Sequence, residues 1–247
     1  MKILKRLGWT FAALFALVLG TAAWLAFNPY WIKVESVQVV LAPNSNQELL
    51  YQRIKTSLTP QFQNFAGRFF WEVPLSKVYE IASKDKRVRK VQIYREFPTK
   101  LRVEVEPQTP VLAYLSRDNR IYPIAADATL LPALSLRDIP DLPIVRGDEF
   151  RDEQKLREAA LDLFEQIPAE GNLKKKAVSE ILYTRKDGFK IFLNGTSSEI
   201  KMGDADFGPK LSRVEKVLAY LDSQNIKGRV IDARFSKKVV VRVRKAP

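Results

Sequence analysis

Val91-Gln92-Ile93-Tyr94-Arg95-Glu96-Phe97-Pro98-Thr99-Lys100-Leu101-Arg102-Val103-Glu104-Val105-Glu106-Pro107 is the stretch from which the fold can be built. Leu101, Val103 and Val105 alternate strictly with Arg102, Glu104 and Glu106, so an extended chain here has one apolar and one charged face. That period of two predicts a half-buried strand. Val88, Val91, Ile93 and Phe97 predict a preceding strand, broken by Pro98. Pro107 and Pro110 stop the pair. A hairpin of this kind leaves an apolar face that other elements must cover.

The covering elements lie upstream. Val34 to Leu41 predicts a strand with Val37, Val39 and Leu41 on one side. Pro43 and Asn44 turn the chain, and Asn46 or Ser45 can cap a helix on which Leu49, Leu50, Ile54 and Leu58 recur at helical spacing. Pro60 to Gly67 predicts a connection. Pro74 suits the first position of a second helix carrying Leu75, Val78, Tyr79 and Ala82 on one face. Phe70 and Trp71, beside that helix start, are expected in the core. The order strand, helix, helix, strand, strand is a small sheet with two helices on one face, in a first block reaching about Leu115.

The second block begins with Arg120-Ile121-Tyr122-Pro123-Ile124 and a Pro-rich passage to Leu142-Pro143-Ile144-Val145-Arg146-Gly147. A helix from about Asp152 to Gln166 turns Leu156, Leu163, Phe164 and Ile167 inward. Asp187-Gly188 and Asn194-Gly195 are hairpin dipeptides between apolar segments at Ile181 to Tyr183, Phe189 to Leu193 and Ile200 to Met202, which predicts an antiparallel meander. Asn194-Gly195-Thr196 also spells a glycosylation acceptor, but the turn accounts for it better. Leu211, Val214, Val217, Leu218 and Leu221 follow on a helix. Asp204 and Asp206 before it read as caps rather than as a metal pair. Ile231 to Phe235 and Val239 to Val243 close the chain.

Ahead of both blocks, Leu7 to Phe27 is uncharged and follows Lys2, Lys5 and Arg6. Such a run makes a helix of about 30 Å, the thickness of a bilayer's hydrocarbon core. The three cations place residues 1–6 in the cytoplasm and everything after the transmembrane helix 7–27 outside it, a single-pass type II arrangement. A cleaved signal peptide ending near Thr21, Ala22 and Ala23 is the alternative. The run outlasts an ordinary signal core and ends in the interfacial group Trp24, Phe27, Tyr30 and Trp31, which favours a retained anchor.

Composition narrows the function. The net charge of the 247-residue chain is +13, and only three of the cations precede the apolar run. An extracytoplasmic polycation meets phospholipid head groups, anionic wall polymer or acidic proteins, so nucleic acid is not an expected partner. The chain has neither cysteine nor histidine. It therefore lacks disulfides, the usual general base, His-activated nucleophiles and the commonest metal ligand. Ser83-Lys84-Asp85-Lys86 matches the Ser-x-x-Lys spacing of penicillin-binding proteins, yet the Ser-Asp-Asn and Lys-Thr-Gly companions are missing. Arg117-Asp118-Asn119 and Lys186-Asp187-Gly188 are the nearest strings. No catalytic, cofactor or metal residue is assigned.

Phe70-Trp71-Glu72-Val73-Pro74-Leu75, followed by the run from Val91 to Val111, resembles the FtsQ-type POTRA domain of bacterial division proteins. Met202-Gly203-Asp204, the helix after it, and Asp232-Ala233-Arg234-Phe235 before Val239 to Val243 resemble the β domain of the same FtsQ/DivIB family. The resemblance implies an α+β protein: an anchor helix, a POTRA domain at 32–108 built β-α-α-β-β, and a β domain at 109–247 of antiparallel strands with helices. It implies a divisome scaffold without catalytic activity at the septum of the cytoplasmic membrane, linking early and late division proteins. FtsB and FtsL are the implied partners of the β domain, and other divisome proteins those of the POTRA domain and anchor. The family commonly has Tyr where Phe235 stands.

The terminal segment is the expected partner site. Val239, Val241 and Val243 fall on one face, while Lys237, Val240, Arg242 and Arg244 give the mixed, charge-bearing pattern of an edge strand that can accept an added strand, with Phe235 and Lys238 in the same expected site. Two rival readings follow from the same residues. POTRA modules also occur in transport and outer-membrane assembly factors, but those stack several modules before a barrel, and one module with one anchor stands here. Lys86-Arg87-Arg89-Lys90 and Lys174-Lys175-Lys176 could serve wall-polymer binding as an accessory property, though solvated faces carry such clusters routinely.

Overall fold

The computed structural model describes residues 14–24, 33–134, 141–195, 198–226 and 228–243. Residues 14–24 form a helix, α1, with exposed side chains. The rest of the expected 7–27 span lies outside the described residues, and no described helix is long and apolar enough to cross a membrane. The chain divides into two compact units, Met1–Pro107 and Gln108–Pro247.

The first unit continues with β1 (Ser36–Leu41), α2 (Glu48–Phe62), α3 (Leu75–Ser83), β2 (Val88–Glu96) and β3 (Lys100–Pro107). β3 is the middle strand, parallel to β1 and antiparallel to β2. Its alternation is realised in full: Leu101, Val103 and Val105 are completely buried. They share one core with Ile54, Leu58 and Phe62 of α2 and Val78 and Ala82 of α3. Burying each larger side chain contributes about 1.5–3 kcal/mol, which fixes which face of the hairpin turns inward.

Local reading missed some details of this unit. Gln47, not Asn46 or Ser45, occupies the N-cap of α2, and it makes no side-chain cap bond. The helix runs through Pro60 to Phe62, followed by a 3-10 turn at Gln63–Phe65, where a connection was expected. Phe62 and Phe65 both enter the core. Their burial outweighs the single backbone donor that Pro60 removes from the last turn. Leu49 and Tyr79 are exposed, and Tyr51 joins the core instead, its hydroxyl donating to the Val39 carbonyl at 2.9 Å. Phe70 is buried as expected, but Trp71 is 58% exposed.

The second unit contains β4 (Pro110–Leu115), β5 (Ile121–Ala125), β6 (Ile144–Arg146), α4 (Gln154–Glu165), β7 (Val178–Thr184), β8 (Gly188–Leu193), β9 (Glu199–Gly203), α5 (Phe207–Ser223), β10 (Gly228–Asp232) and β11 (Val240–Val243). Their sheet order is β11-β10-β9-β8-β7-β6-β4-β5. Residues 110–115 thus belong to this sheet and not to the first block. Leu156, Leu163, Phe164 and Ile167 are buried with Leu211, Val214 and Leu221 of α5 in its core.

The sheet is mixed, which corrects the antiparallel expectation. β4 with β6, β6 with β7 and β9 with β10 are parallel. For the last two pairs the cause is the placement of helices: α4 lies between β6 and β7, and α5 between β9 and β10, whereas β4 and β6 are separated in sequence by β5. A helical crossover returns the chain to the end where the previous strand began, so the next strand runs parallel. The antiparallel pairings of β7 with β8 and β8 with β9 are as expected; the first turn lies at 185–187 with Gly188 opening β8, and Asn194-Gly195 turns the chain out of β8. Gly188 has φ +69°, and a Cβ there would lie 2.5 Å from the Gly203 carbonyl carbon. Only glycine fits that turn.

Candidate partner-docking edge

β5 and β11 are the two edges of the eight-stranded sheet. At β5 the chain folds back over its own edge. The Leu131 N–H donates to the Pro123 carbonyl and the Leu134 N–H to the Ile121 carbonyl, each at 2.9 Å, while the Ala125 N–H donates to the Thr129 carbonyl at 3.0 Å. Leu131 is buried, and Pro123 itself offers no N–H.

β11 differs. It pairs antiparallel with β10, Ile231 opposite Val241 and Asp232 opposite Val240. Among the described residues no strand pairs with its other side. A strand in this state offers unpaired N–H and C=O groups to an incoming chain. Val239 and Val241 pack against the core, while Val240 and Val243 are 39% and 53% exposed. Arg242 is exposed as well. The paired strand is shorter than expected, with Phe235 and Lys237 in a bend ahead of it and Lys238 just after the bend. There the Lys238 ammonium lies 5.4 Å from the centre of the exposed Phe235 ring.

Two arginines hold this lead-in. Arg213 of α5 donates to the Ser236 carbonyl at 2.6 Å and the Phe235 carbonyl at 3.0 Å. Arg234 grips Asp232 with two side-chain donors, at 2.9 and 2.7 Å, and reaches Asp187 in the β7–β8 turn at 2.9 Å. The Ala233 N–H donates to the Lys201 carbonyl at 2.9 Å. Lys190 completes the network on Asp187 at 2.9 Å and Glu199 at 3.2 Å. The hydrogen bond from Lys190 holds the Asp187 carboxyl below its ordinary pKa, and the one from Arg234 does the same for Asp232. Lys190 and Arg234 are pushed up in turn by those carboxylates. All four groups stay charged near neutrality, so the exit of β10 is fixed where β11 departs.

The other motif residues do not assemble into chemistry. The Ser83 hydroxyl donates to the Glu80 carbonyl of its own helix at 3.2 Å, and Lys84 pairs with Glu80 at 2.6 Å. Asp118 accepts from Ser116, and Asp187-Gly188 makes the hairpin. Asp206 sits at the N-cap of α5 in a left-handed conformation without a side-chain cap bond. Among the described residues no three acidic side chains form a metal-binding group. In the basic clusters, Lys175 pairs with Glu165 at 2.7 Å, Arg87 with Asp85 at 2.5 Å, and Arg89 with Glu106.

Sequence reasoning missed Arg213 and the reach of Arg234 to Asp187. The adjacent Asp232 and Arg234 were the available signal; the contacts of Arg213 cross from helix to loop and leave none.

Comparison with known proteins adds relatives. A family model described as cell division protein FtsQ/DivIB, C-terminal, matches residues 113–234. The chain is 25% identical over 175 residues to cell division protein FtsQ of Geotalea daltonii, covering 68% of this chain and 63% of that protein. It is 26% identical over 183 residues to cell division protein FtsQ of a Geobacter species, covering 71% and 66%. For the protein of that name in Syntrophotalea carbinolica the identity is 22% over 234 residues, covering 90% and 78%. The chain thus spans slightly less than two thirds of the first two relatives' lengths.

Proposed function

We propose that the chain, a member of the FtsQ/DivIB family of cell division proteins, is a bitopic, non-catalytic scaffold of the divisome whose β11 edge receives FtsB, with FtsL. The observation that carries this reading is the open β11 edge, held in position by Arg213 and Arg234 beside exposed Phe235, Lys237, Lys238, Val240 and Arg242. The family match ends at Arg234, so docking on β11 rests on this geometry. An added strand draws affinity from main-chain hydrogen bonds, while Phe235, Val240 and the three cations select its side chains. The small first unit and the 7–27 anchor serve recruitment by other division proteins at the septum, with the bulk of the chain in the periplasm or extracytoplasmic space.

Capture of FtsB and FtsL by the full chain in detergent tests this. Val240→Pro removes a backbone donor and interrupts a regular ladder, so affinity is expected to fall at least tenfold while the melting of the chain changes little. Lys238→Glu with Arg242→Glu should slow association several-fold at low salt and much less at high salt. Unchanged affinity in a folded Val240→Pro chain would remove β11 as the docking strand.

A further inference from the structure

One end of the first unit gathers apolar and cationic groups that its core does not use. Three segments meet there. The Val34 N–H donates to the Arg68 carbonyl at 2.9 Å, the Gly67 N–H to the Val34 carbonyl at 2.8 Å, and the Glu35 N–H to the Thr99 carbonyl at 2.8 Å. Lys33 and Phe69 form an isolated bridge. The Arg95 guanidinium donates to the carbonyls of Phe70 and, at 2.9 Å, Val73. The start of β1, the loop before α3 and the β2–β3 turn are therefore fixed together.

Their aromatic side chains are displayed. Phe97 is 79% exposed, the most exposed large apolar side chain among the described residues. Trp71 stacks on Phe69 with ring centres 5.4 Å apart, and Phe97 meets Phe70 edge-on at 6.1 Å. These contacts pre-set the two exposed rings instead of leaving them on loose loops. Cations surround them: Lys33 lies over Phe69 at 5.6 Å, Arg95 over Phe70 at 5.4 Å, and Arg68 and Lys100 are exposed nearby. Of the acidic residues here, Glu96 pairs with Arg102 at 2.9 Å, leaving Glu35 and Glu72 as the opposing charges.

We propose that this end is a second membrane contact: Trp71 and Phe97 enter the headgroup region of the bilayer, and Lys33, Arg68 and Arg95 face anionic phospholipid. The proposal rests on reading 7–27 as a retained anchor. Chain length argues for it, since the few residues between Phe27 and Lys33 span at most about 20 Å when extended, so the patch is tethered within reach of the surface. Chemistry argues for lipid as the occupant. Trp and other aromatic rings settle at the interface, and long cationic side chains keep their heads among phosphates while their stems lie in apolar surroundings.

The chain has no cysteine, so single labels can be placed at will. In the full chain, fluorophores at Glu72→Cys and Lys100→Cys flank the aromatics and leave them intact. Lys86→Cys, near the start of β2, is the distant control, and Leu17→Cys reports the anchor. The chains are put into phosphatidylglycerol and phosphatidylcholine nanodiscs carrying quenchers at headgroup or acyl depth. Acyl quenching at position 17 and headgroup quenching at 72 and 100 at least threefold above 86 are expected. Trp71→Ser with Phe97→Ser should bring 72 and 100 down to the control while leaving 17 and the melting unchanged. Quenching at 17 with 72 and 100 no higher than 86 would overturn the proposal alone. No quenching at 17 would overturn the anchor reading and the proposal with it.

Discussion

β5 and β11 end the same sheet, yet they solve the edge problem in opposite ways. β5 is lined by its own following segment, with three backbone hydrogen bonds and the buried Leu131 across it. β11 is positioned from one side by β10 and from its lead-in by Arg213, and its outer side has no paired strand among the described residues. Exposed edges invite unwanted pairing, and proteins ordinarily cover or charge them. One sheet containing both solutions shows that the covering device was available and was used at only one edge. That difference is what supports the proposal that β11 receives a partner.

Substitution should separate the two edges most strongly in stability. Leu131→Ala beside β5 leaves a cavity and is expected to cost about 3 kcal/mol. Val243→Ala at β11 should cost less than about 0.5 kcal/mol, as at an exposed site. Denaturant unfolding of the full chain compares them, and similar costs would erase the contrast.

A smaller effect is expected at the lead-in. Arg213→Ala removes two charge-assisted donors from the Phe235 and Ser236 carbonyls, at about 1–2 kcal/mol locally. Amide exchange should rise in β11 and remain unchanged in β5, and equal rises at both edges would show that Arg213 supports the whole sheet.

The smallest effect concerns acid. Asp187 and Asp232 have pKa values held below the ordinary carboxylate value. Their contribution is therefore complete above about pH 4, the unfolded-state value, and is lost as pH falls through the depressed folded values. Thermal melting of Asp232→Asn should show a shallower loss of stability with acid than the parent chain. Parallel curves would assign the acid response to other carboxylates.

The contrast between the edges also marks where the sequence was legible. The alternation of β3 was, because one buried face and one solvated face write themselves directly as period two. The two hairpins were, because Gly188 and Gly195 adopt positive φ that few residues tolerate. Parallel pairing was not: α4 and α5 are visible by their spacing, but nothing in the strands themselves states that a helix between them reverses the direction of return. Trp71 reads as core because it adjoins Phe70, and adjacent aromatics in a loop carry no sign of which one turns inward. At the docking edge, the valines of β11 could be read as an alternating strand. Its exposure follows from its place at the end of the strand order and its position from Arg213, neither of which has a local signature.

Hydrogen–deuterium exchange of the full chain, alone and with FtsB and FtsL, tests the difference between the edges most directly. In the free chain the β11 amides should exchange much faster than those of β5, and addition of the pair should protect 240–243 while β5 stays as it was. Protection appearing at β5, or complex formation that leaves 240–243 as exchangeable as before, would contradict the account.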